Sequence, residues 1–206
     1  MNILSETLLD LQKNLQTLPG IGEKTAQRLA YFIVNQPESK AILLANAIEK
    51  AIKTCKPCSD CYMLSDINPC PICSDKFRNS DILCVVESSR DVFAIENTKE
   101  FNGYYFVLGN LLSPINGIGP NEIRFKELCK FIEKRMFNEL ILALSPSTEG
   151  ETTMQFIANN ILITNSNSEK LKITRLSTGI PYGCDMEFTA SSTLLNALKR
   201  RFTILN

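Results

Sequence analysis

The spacing of apolar side chains predicts three helices in the first quarter of the chain. Leucines recur there at intervals of 4, 3, 4 and 3 residues, which is the pattern of one apolar helix face. These leucines are Leu4, Leu8, Leu11, Leu15 and Leu18. A second helix is predicted over 23–34, and a third opens at Pro37, which can occupy a first helical turn. The side chains expected to face inward are Ala26, Leu29, Ala30 and Ile33, followed by Ala41, Leu44, Ala45, Ile48 and Ile52.

From residue 82 onward the pattern changes to short apolar runs that alternate with helical stretches. The predicted strands cover 82–86, 104–108, 140–144 and 171–174, and a short polar loop from Asn165 to Ser168 precedes the last one. The predicted helices lie near 89–97, 120–136 and 151–162, with Pro120 in the first turn of the second. Such alternation predicts an α/β domain with a mostly parallel sheet, in which ligands gather beyond the carboxyl ends of the strands.

Between these two regions lie two C-x-x-C pairs, Cys58/Cys61 and Cys70/Cys73, which eight residues separate. Each pair can place two thiolates on one ion, so the four cysteines predict a closed structural zinc site. The chain contains no histidine, which argues against zinc catalysis with imidazole ligands and a bound water. The alternative is that the cysteines are free thiols or disulfides, and Cys55 could also compete for the metal.

No signal peptide and no membrane-spanning run is recognisable in the sequence. We therefore expect a cytoplasmic protein without a membrane partner. In a reducing compartment paired C-x-x-C motifs indicate a metal site rather than disulfides.

Charge limits how the chain could bind nucleic acid. The 22 basic and 22 acidic residues cancel, and the local balance also stays near zero. Residues 1–57 carry 7 basic and 5 acidic side chains, and residues 81–175 carry 10 and 12. A single copy is therefore not expected to bind DNA strongly and nonspecifically; DNA binding would need a local patch, an oligomer or a partner.

The turn between the first two helices is a candidate DNA contact. Two glycines let the backbone approach another molecule closely, and the amides that open the second helix can hold a phosphate oxygen. The candidate residues are Gly20, Gly22, Lys24, Thr25 and Arg28. The segment resembles a helix-hairpin-helix motif, which contacts the DNA backbone without reading bases. The alternative is an ordinary glycine turn with solvated charges.

Four acids follow predicted strands or open the next helix: Glu87, Asp91, Glu149 and Glu151. Their placement resembles the Toprim fold, in which such acids hold magnesium for phosphoryl transfer. Here Ser145 and Ser147 stand where Toprim topoisomerases carry aspartates, and neutral hydroxyls hold Mg²⁺ poorly. The acids are therefore interpreted as a partner surface or a weak metal site rather than a catalytic centre.

A glycine-rich loop at 112–120 could cradle a phosphate ahead of a helix. It lacks the following Lys-Ser or Lys-Thr of a Walker A loop, so a shaped turn is the favoured interpretation.

The order of these motifs resembles the RecR family of bacterial recombination mediators along essentially the whole chain. The resemblance implies a nucleoid-associated DNA-repair protein without enzymatic activity. Such a protein assembles as a homotetrameric ring, clamps DNA and works with RecO and RecF to load the strand-exchange recombinase. It matches Lys24 and Arg28 to DNA-facing positions, the four paired cysteines to zinc ligands and the four acids to partner contacts.

The predicted fold is a multidomain α+β and α/β protein. Its expected parts are a helix-hairpin-helix domain over 1–53, a four-cysteine zinc finger over 54–77, a Toprim domain over 80–176 and a C-terminal helical region over 177–206. One competing hypothesis is a magnesium-dependent Toprim nuclease or strand-transferase. Another is a zinc-stapled adaptor that binds only proteins.

Overall fold

The computed structural model describes residues 5–164, 171–201 and 203. They belong to two compact units, which divide between Cys55 and Lys56. Leu4 of the leucine pattern and the polar loop predicted from Asn165 to Ser168 lie outside the described residues. No helix in the described ranges is long and apolar enough to cross a membrane.

The first unit is entirely helical, with α1 over Glu6–Gln16, α2 over Glu23–Val34 and α3 over Glu38–Thr54. On α2 the side chains of Ala26 and Ala30 are fully buried. Small side chains let two helix backbones approach closely. The buried alanines therefore favour close packing in the α1–α2 hairpin that the sequence predicts.

The inward face predicted for α3 is wrong. Leu44, Ile48 and Ile52 are 49%, 54% and 67% exposed, and α3 has no buried residue. Pro37 precedes the helix as its N-cap instead of lying in the first turn. Periodicity identifies the apolar face of a helix but not what covers that face, and a unit this small buries little surface of its own.

The second unit is built on a sheet of four parallel strands, as the sequence predicts, and their order is β4-β3-β5-β6. The strands are β3 (Ile82–Val86), β4 (Tyr104–Val107), β5 (Glu139–Ala143) and β6 (Lys172–Arg175), and a separate hairpin pairs β1 (Lys56–Pro57) with β2 (Leu64–Ser65). The helices are α4 (Pro71–Ser74), α5 (Ser89–Glu96), α6 (Phe125–Arg135), α7 (Thr148–Thr164) and α8 (Ser191–Lys199). Helix α8 confirms a helical C-terminal region.

The strand order fixes where ligands and partners can approach this sheet. The chain moves from β3 outward to β4, then crosses back to β5 and on to β6. Right-handed crossovers therefore put α5 on one face and both α6 and α7 on the other. Phe125 of α6 and Phe156 of α7 agree with this, since their ring centroids lie 5.1 Å apart. The order reverses between β3 and β5, so the loops that follow these two strands meet at a switch point.

The start of α6 differs from the prediction, whereas the loop before it agrees. Pro120 does not begin that helix, which starts at Phe125. The preceding loop closes on itself instead, because Ser113 and Ile118 exchange backbone hydrogen bonds of 3.0 and 2.9 Å and Gly117 takes a left-handed φ of 71°. The segment is the shaped turn that the sequence favoured.

Gly150 allows the loop after β5 to lie against the first turn of α7. A Cβ atom at this position would sit 1.8 Å from the carbonyl oxygen of Ser145, and the Gly150 amide donates to Ser147 Oγ at 3.1 Å. The obstacle is backbone rather than a flexible side chain, so the close approach requires glycine.

We expect Gly150→Ala to lower the free energy of unfolding by about 1–3 kcal/mol, because the overlap outweighs the better helix propensity of alanine. Urea denaturation of the zinc-loaded protein measures this. Gly179→Ala is the matched control, since a Cβ there meets nothing within 4 Å. Equal stability of the two variants would contradict the packing argument.

Candidate metal centre and nucleic-acid interface

The four paired cysteines converge on one point. Their ligand sulfurs all lie within 4.8 Å of one another, and the four side chains are buried. Zn–S bonds of about 2.3 Å in a tetrahedron place sulfurs about 3.8 Å apart, so the cluster fits a zinc ion. Cys55 does not belong to this group, although sequence spacing left it as a competitor.

Backbone amides donate hydrogen bonds to two of these sulfurs, which favours their thiolate form. The amide of Cys70 donates to Cys58 Sγ at 3.3 Å, and that of Cys73 donates to Cys70 Sγ at 3.4 Å. Hydrogen bonds from Cys61 and Cys73 hold the pKa of the Cys70 thiol far below its usual range. The hydrogen bond to Cys70 and burial raise the pKa of Cys61, and hydrogen bonds to Cys61 and Cys70 together with burial raise the pKa of Cys73. A divalent ion removes this conflict, because it allows all four groups to be thiolates.

The segment 56–75, which runs from β1 through α4 and carries the four cysteines, is called the zinc module here. It is attached to the outer edge of the parallel sheet. Strand β4 is an edge strand, and its Val107 amide donates to the carbonyl oxygen of Cys61 at 2.8 Å. The Tyr104 hydroxyl donates to the Asp75 carbonyl at 2.8 Å. On the α6 side, Arg135 donates to the carbonyl of Cys73 at 3.2 Å. The module therefore pairs a backbone amide that this edge strand would otherwise leave open.

Replacing Cys70 by serine should remove zinc and unfold the module together, because metal binding and folding of such sites are coupled. We expect the zinc content to fall from about one per chain to a small fraction, with a lower Tm. Metal analysis and thermal denaturation measure both quantities. Cys184→Ser is the control, since Cys184 is exposed and outside the cluster. A stable Cys70→Ser protein with full zinc occupancy would refute the ligand assignment.

The candidate DNA contact lies at the turn between α1 and α2. Gly20 has a left-handed φ of 77°, and the amide of Ile21 donates to the Leu18 carbonyl at 3.1 Å. Gly22 is the N-cap of α2, and its carbonyl accepts the first intrahelical hydrogen bond, from Ala26 at 2.9 Å. The amides before Ala26 have no partner within the helix and are available to an anion.

Three of the predicted DNA-binding side chains line the start of α2. Lys24, Thr25 and Arg28 are exposed, and the two cations are four residues apart on one helix face. Glu23 opens the same helix and reduces the local positive field. The arrangement can hold a phosphate through backbone amides while two cations contact neighbouring phosphates, which requires no base contact.

The four predicted acids lie at the carboxyl edge of the sheet but do not share one role. Asp91 Oδ2 accepts hydrogen bonds from the amide and the hydroxyl of Ser88 at 2.7 and 2.9 Å, which closes the first turn of α5. Glu151 accepts both Nη groups of Arg175 at 2.7 and 2.6 Å. Within the described residues, the Glu87 and Glu149 side chains form neither hydrogen bonds nor ion pairs.

The acids do not form a metal-binding group. In the described part of the chain, the four zinc-binding cysteines are the only set of three or more His, Cys, Asp or Glu side chains gathered closely enough to hold an ion. Sequence reasoning missed Arg175, the partner of Glu151. Its only signal was an arginine at the end of a predicted strand, at the same sheet edge as the acids.

Comparison with known proteins gives matches along the chain. The RecR helix-hairpin-helix family matches residues 8–52, the RecR family of four-cysteine zinc finger domains matches 56–75, and the Toprim domain family matches 81–177.

Curated relatives named "Recombination protein RecR" are similar over nearly their full length. The protein of Gloeobacter violaceus is 42% identical over 94% of this chain and 96% of its own. That of Pelotomaculum thermopropionicum is 42% identical, and that of Desulfatibacillum aliphaticivorans is 40% identical, each over 98% of both chains.

Proposed function

Because this chain belongs to the RecR family of recombination proteins, we propose that it acts as a recombination mediator that clamps DNA without catalysing a reaction on it. In this proposal four copies form a ring around DNA, and RecO and RecF act with the ring to load the strand-exchange recombinase. The α1–α2 turn is the observation that carries the proposal, since it combines open helix amides with Lys24 and Arg28.

Weak contacts suit such a clamp. One copy has no net charge and offers two cations at the turn, so its own affinity for DNA should be low and sensitive to salt. Several turns on one assembly add through effective concentration. Enclosure of the duplex or the single strand would then retain DNA without a large ionic contact.

Self-association is supported by apolar side chains on α2 and α3. Phe32, Val34 and Leu43 are 63%, 63% and 67% exposed in the single chain. Contiguous exposed apolar surface is typical of protein interfaces, and a small helical unit gains stability when another copy covers it. The proposed occupant is the same unit of a second copy.

A role without catalysis is supported by the state of the Toprim acids. Two of the four carboxylates are engaged within the chain, Asp91 as a helix cap and Glu151 in an ion pair. Serines replace two aspartates of the metal-dependent pattern. Glu87 and Glu149 remain available, and we propose that they contact the partner proteins.

Replacing Lys24 and Arg28 together by alanine should weaken DNA binding by about tenfold or more, and should lower the salt slope by about 1 for each phosphate that the variant no longer neutralises. Fluorescence anisotropy over a range of salt concentrations measures both. Lys40→Ala with Lys50→Ala is the matched control, because it removes the same charge from exposed positions on α3 of the same unit. Equal effects of the two double variants would refute a specific turn contact.

The clamp itself is tested by retention on gapped circular DNA before and after linearisation, in Mg²⁺ and high salt. We expect protein to remain on the circle and to dissociate from linear DNA, because a ring can slide off a free end. The DNA should stay unbroken.

Equal weak retention on both forms would contradict enclosure. Strand breaks that need Mg²⁺ and disappear in Glu87→Ala would instead establish the nuclease or strand-transferase alternative. DNA binding unaffected by removal of Lys24 and Arg28 would favour an adaptor that binds only proteins.

A further inference from the structure

The carboxyl edge of the sheet carries the acids with which metal-dependent Toprim enzymes hold a divalent ion, and the residues present here do not fit that ion. A Mg²⁺ site needs several oxygen ligands in octahedral geometry. Ser145 and Ser147 offer neutral hydroxyls, and Ser147 Oγ already accepts the Gly150 amide. Asp91 offers its Oδ2 to Ser88 instead of to an ion.

Another ligand candidate, Glu151, already has a cation. Both of its oxygens accept Nη groups of Arg175, at 2.7 and 2.6 Å, in the bidentate geometry that matches guanidinium to carboxylate. Arg175 Nε is buried and finds no acceptor among the described residues. Among the described residues, the hydrogen bonds of this guanidinium therefore all go to Glu151.

The cation that pairs with Glu151 is a side chain of the sheet. Arg175 is the last residue of β6, and it pairs in register with Leu142 on the neighbouring strand β5. Glu151 lies in the first turn of α7, which follows β5. The ion pair therefore joins the start of α7 to the end of the adjacent strand, which is a connection that a shared metal ion could otherwise make.

The electrostatic surroundings of Glu151 favour this arrangement. The hydrogen bonds from Arg175 hold the pKa of the Glu151 carboxyl below its usual range, and the charges of Arg175 and Arg200 act in the same direction. The same pairing raises the pKa of Arg175. A divalent ion approaching Glu151 would meet two positive charges and would have to displace a bidentate partner.

We propose that Arg175 is the resident cation of this Toprim edge and that it excludes divalent ions from Glu151. The edge then keeps its shape in the absence of a divalent metal and presents Glu87 and Glu149 as its free carboxylates. This inference goes beyond the clamp function, because it depends on contacts within one chain and not on DNA, a ring or a partner.

The test is direct binding of Mn²⁺ to zinc-loaded protein, followed by electron paramagnetic resonance. The variants are Arg175→Gln, Arg175→Gln combined with Glu151→Gln, and Glu151→Gln alone. Arg90→Gln is the matched control, since Arg90 is an exposed arginine on α5 of the same unit. Thermal denaturation establishes that each variant is folded.

We expect Arg175→Gln to bind Mn²⁺ at least about tenfold more tightly than the unchanged protein and Arg90→Gln. The gain should vanish when Glu151→Gln is added. Unchanged Mn²⁺ binding in folded Arg175→Gln would overturn the proposal.

If Arg175→Gln does not fold, Glu151→Gln alone decides the question. The proposal requires that this variant bind Mn²⁺ as weakly as the unchanged protein. Mn²⁺ that binds the unchanged protein but not Glu151→Gln would show an ion at this edge and would refute it. Neither result depends on whether the protein clamps DNA.

Discussion

The attachment of the zinc module to the edge of the sheet is the constraint on which the second unit depends. Strand β4 ends the sheet, so its outward amides and carbonyls need partners. The Cys61 carbonyl of the zinc module accepts the Val107 amide, and the Asp75 carbonyl accepts the side-chain hydroxyl of Tyr104 on the same strand. The buried cysteines also belong to the same apolar core as the strands. Loss of the ion would therefore place unpaired sulfur ligands inside that core, where charge without a partner is strongly unfavourable.

Some of the 44 charged residues are held in ion pairs within the chain. Arg78 donates to Glu96 and to the Gly103 carbonyl, and the Tyr105 hydroxyl donates to the same carboxylate at 2.7 Å. Burial opposes ionisation of Glu96, but the hydrogen bonds from Arg78 and Tyr105 prevail and lower its pKa. Arg175 and Glu151 form a second engaged pair. The cations Lys24 and Arg28 at the α1–α2 turn, by contrast, are exposed.

Local patterns were sufficient to predict much of this architecture. The bounds of α2 and of β3 agree with the predicted bounds, because a buried strand and a helix that follows a glycine turn are specified by their own residues. The zinc ligands were also predictable, since each C-x-x-C fixes its geometry over four residues.

What the sequence could not predict depends on distant residues. Pattern alone could not reveal that the apolar face of α3 stays exposed among the described residues, or that Arg175 engages Glu151 across 24 positions. Periodicity reports which side of an element is apolar or charged. It does not report the partner, because that choice is made by the packing of other elements.

Assembly and DNA binding are physically coupled in the proposed clamp. The α1–α2 turn and the exposed apolar side chains Phe32 and Leu43 belong to the same small helical unit. If copies of the chain bury this surface against each other, the helices that carry the turn become fixed in position. A turn that is already ordered loses less conformational entropy when it binds phosphate. The ring would therefore add to DNA retention in two ways, by enclosing the DNA and by ordering its own contacts. For this reason the zero net charge of a single chain is compatible with the proposed clamp.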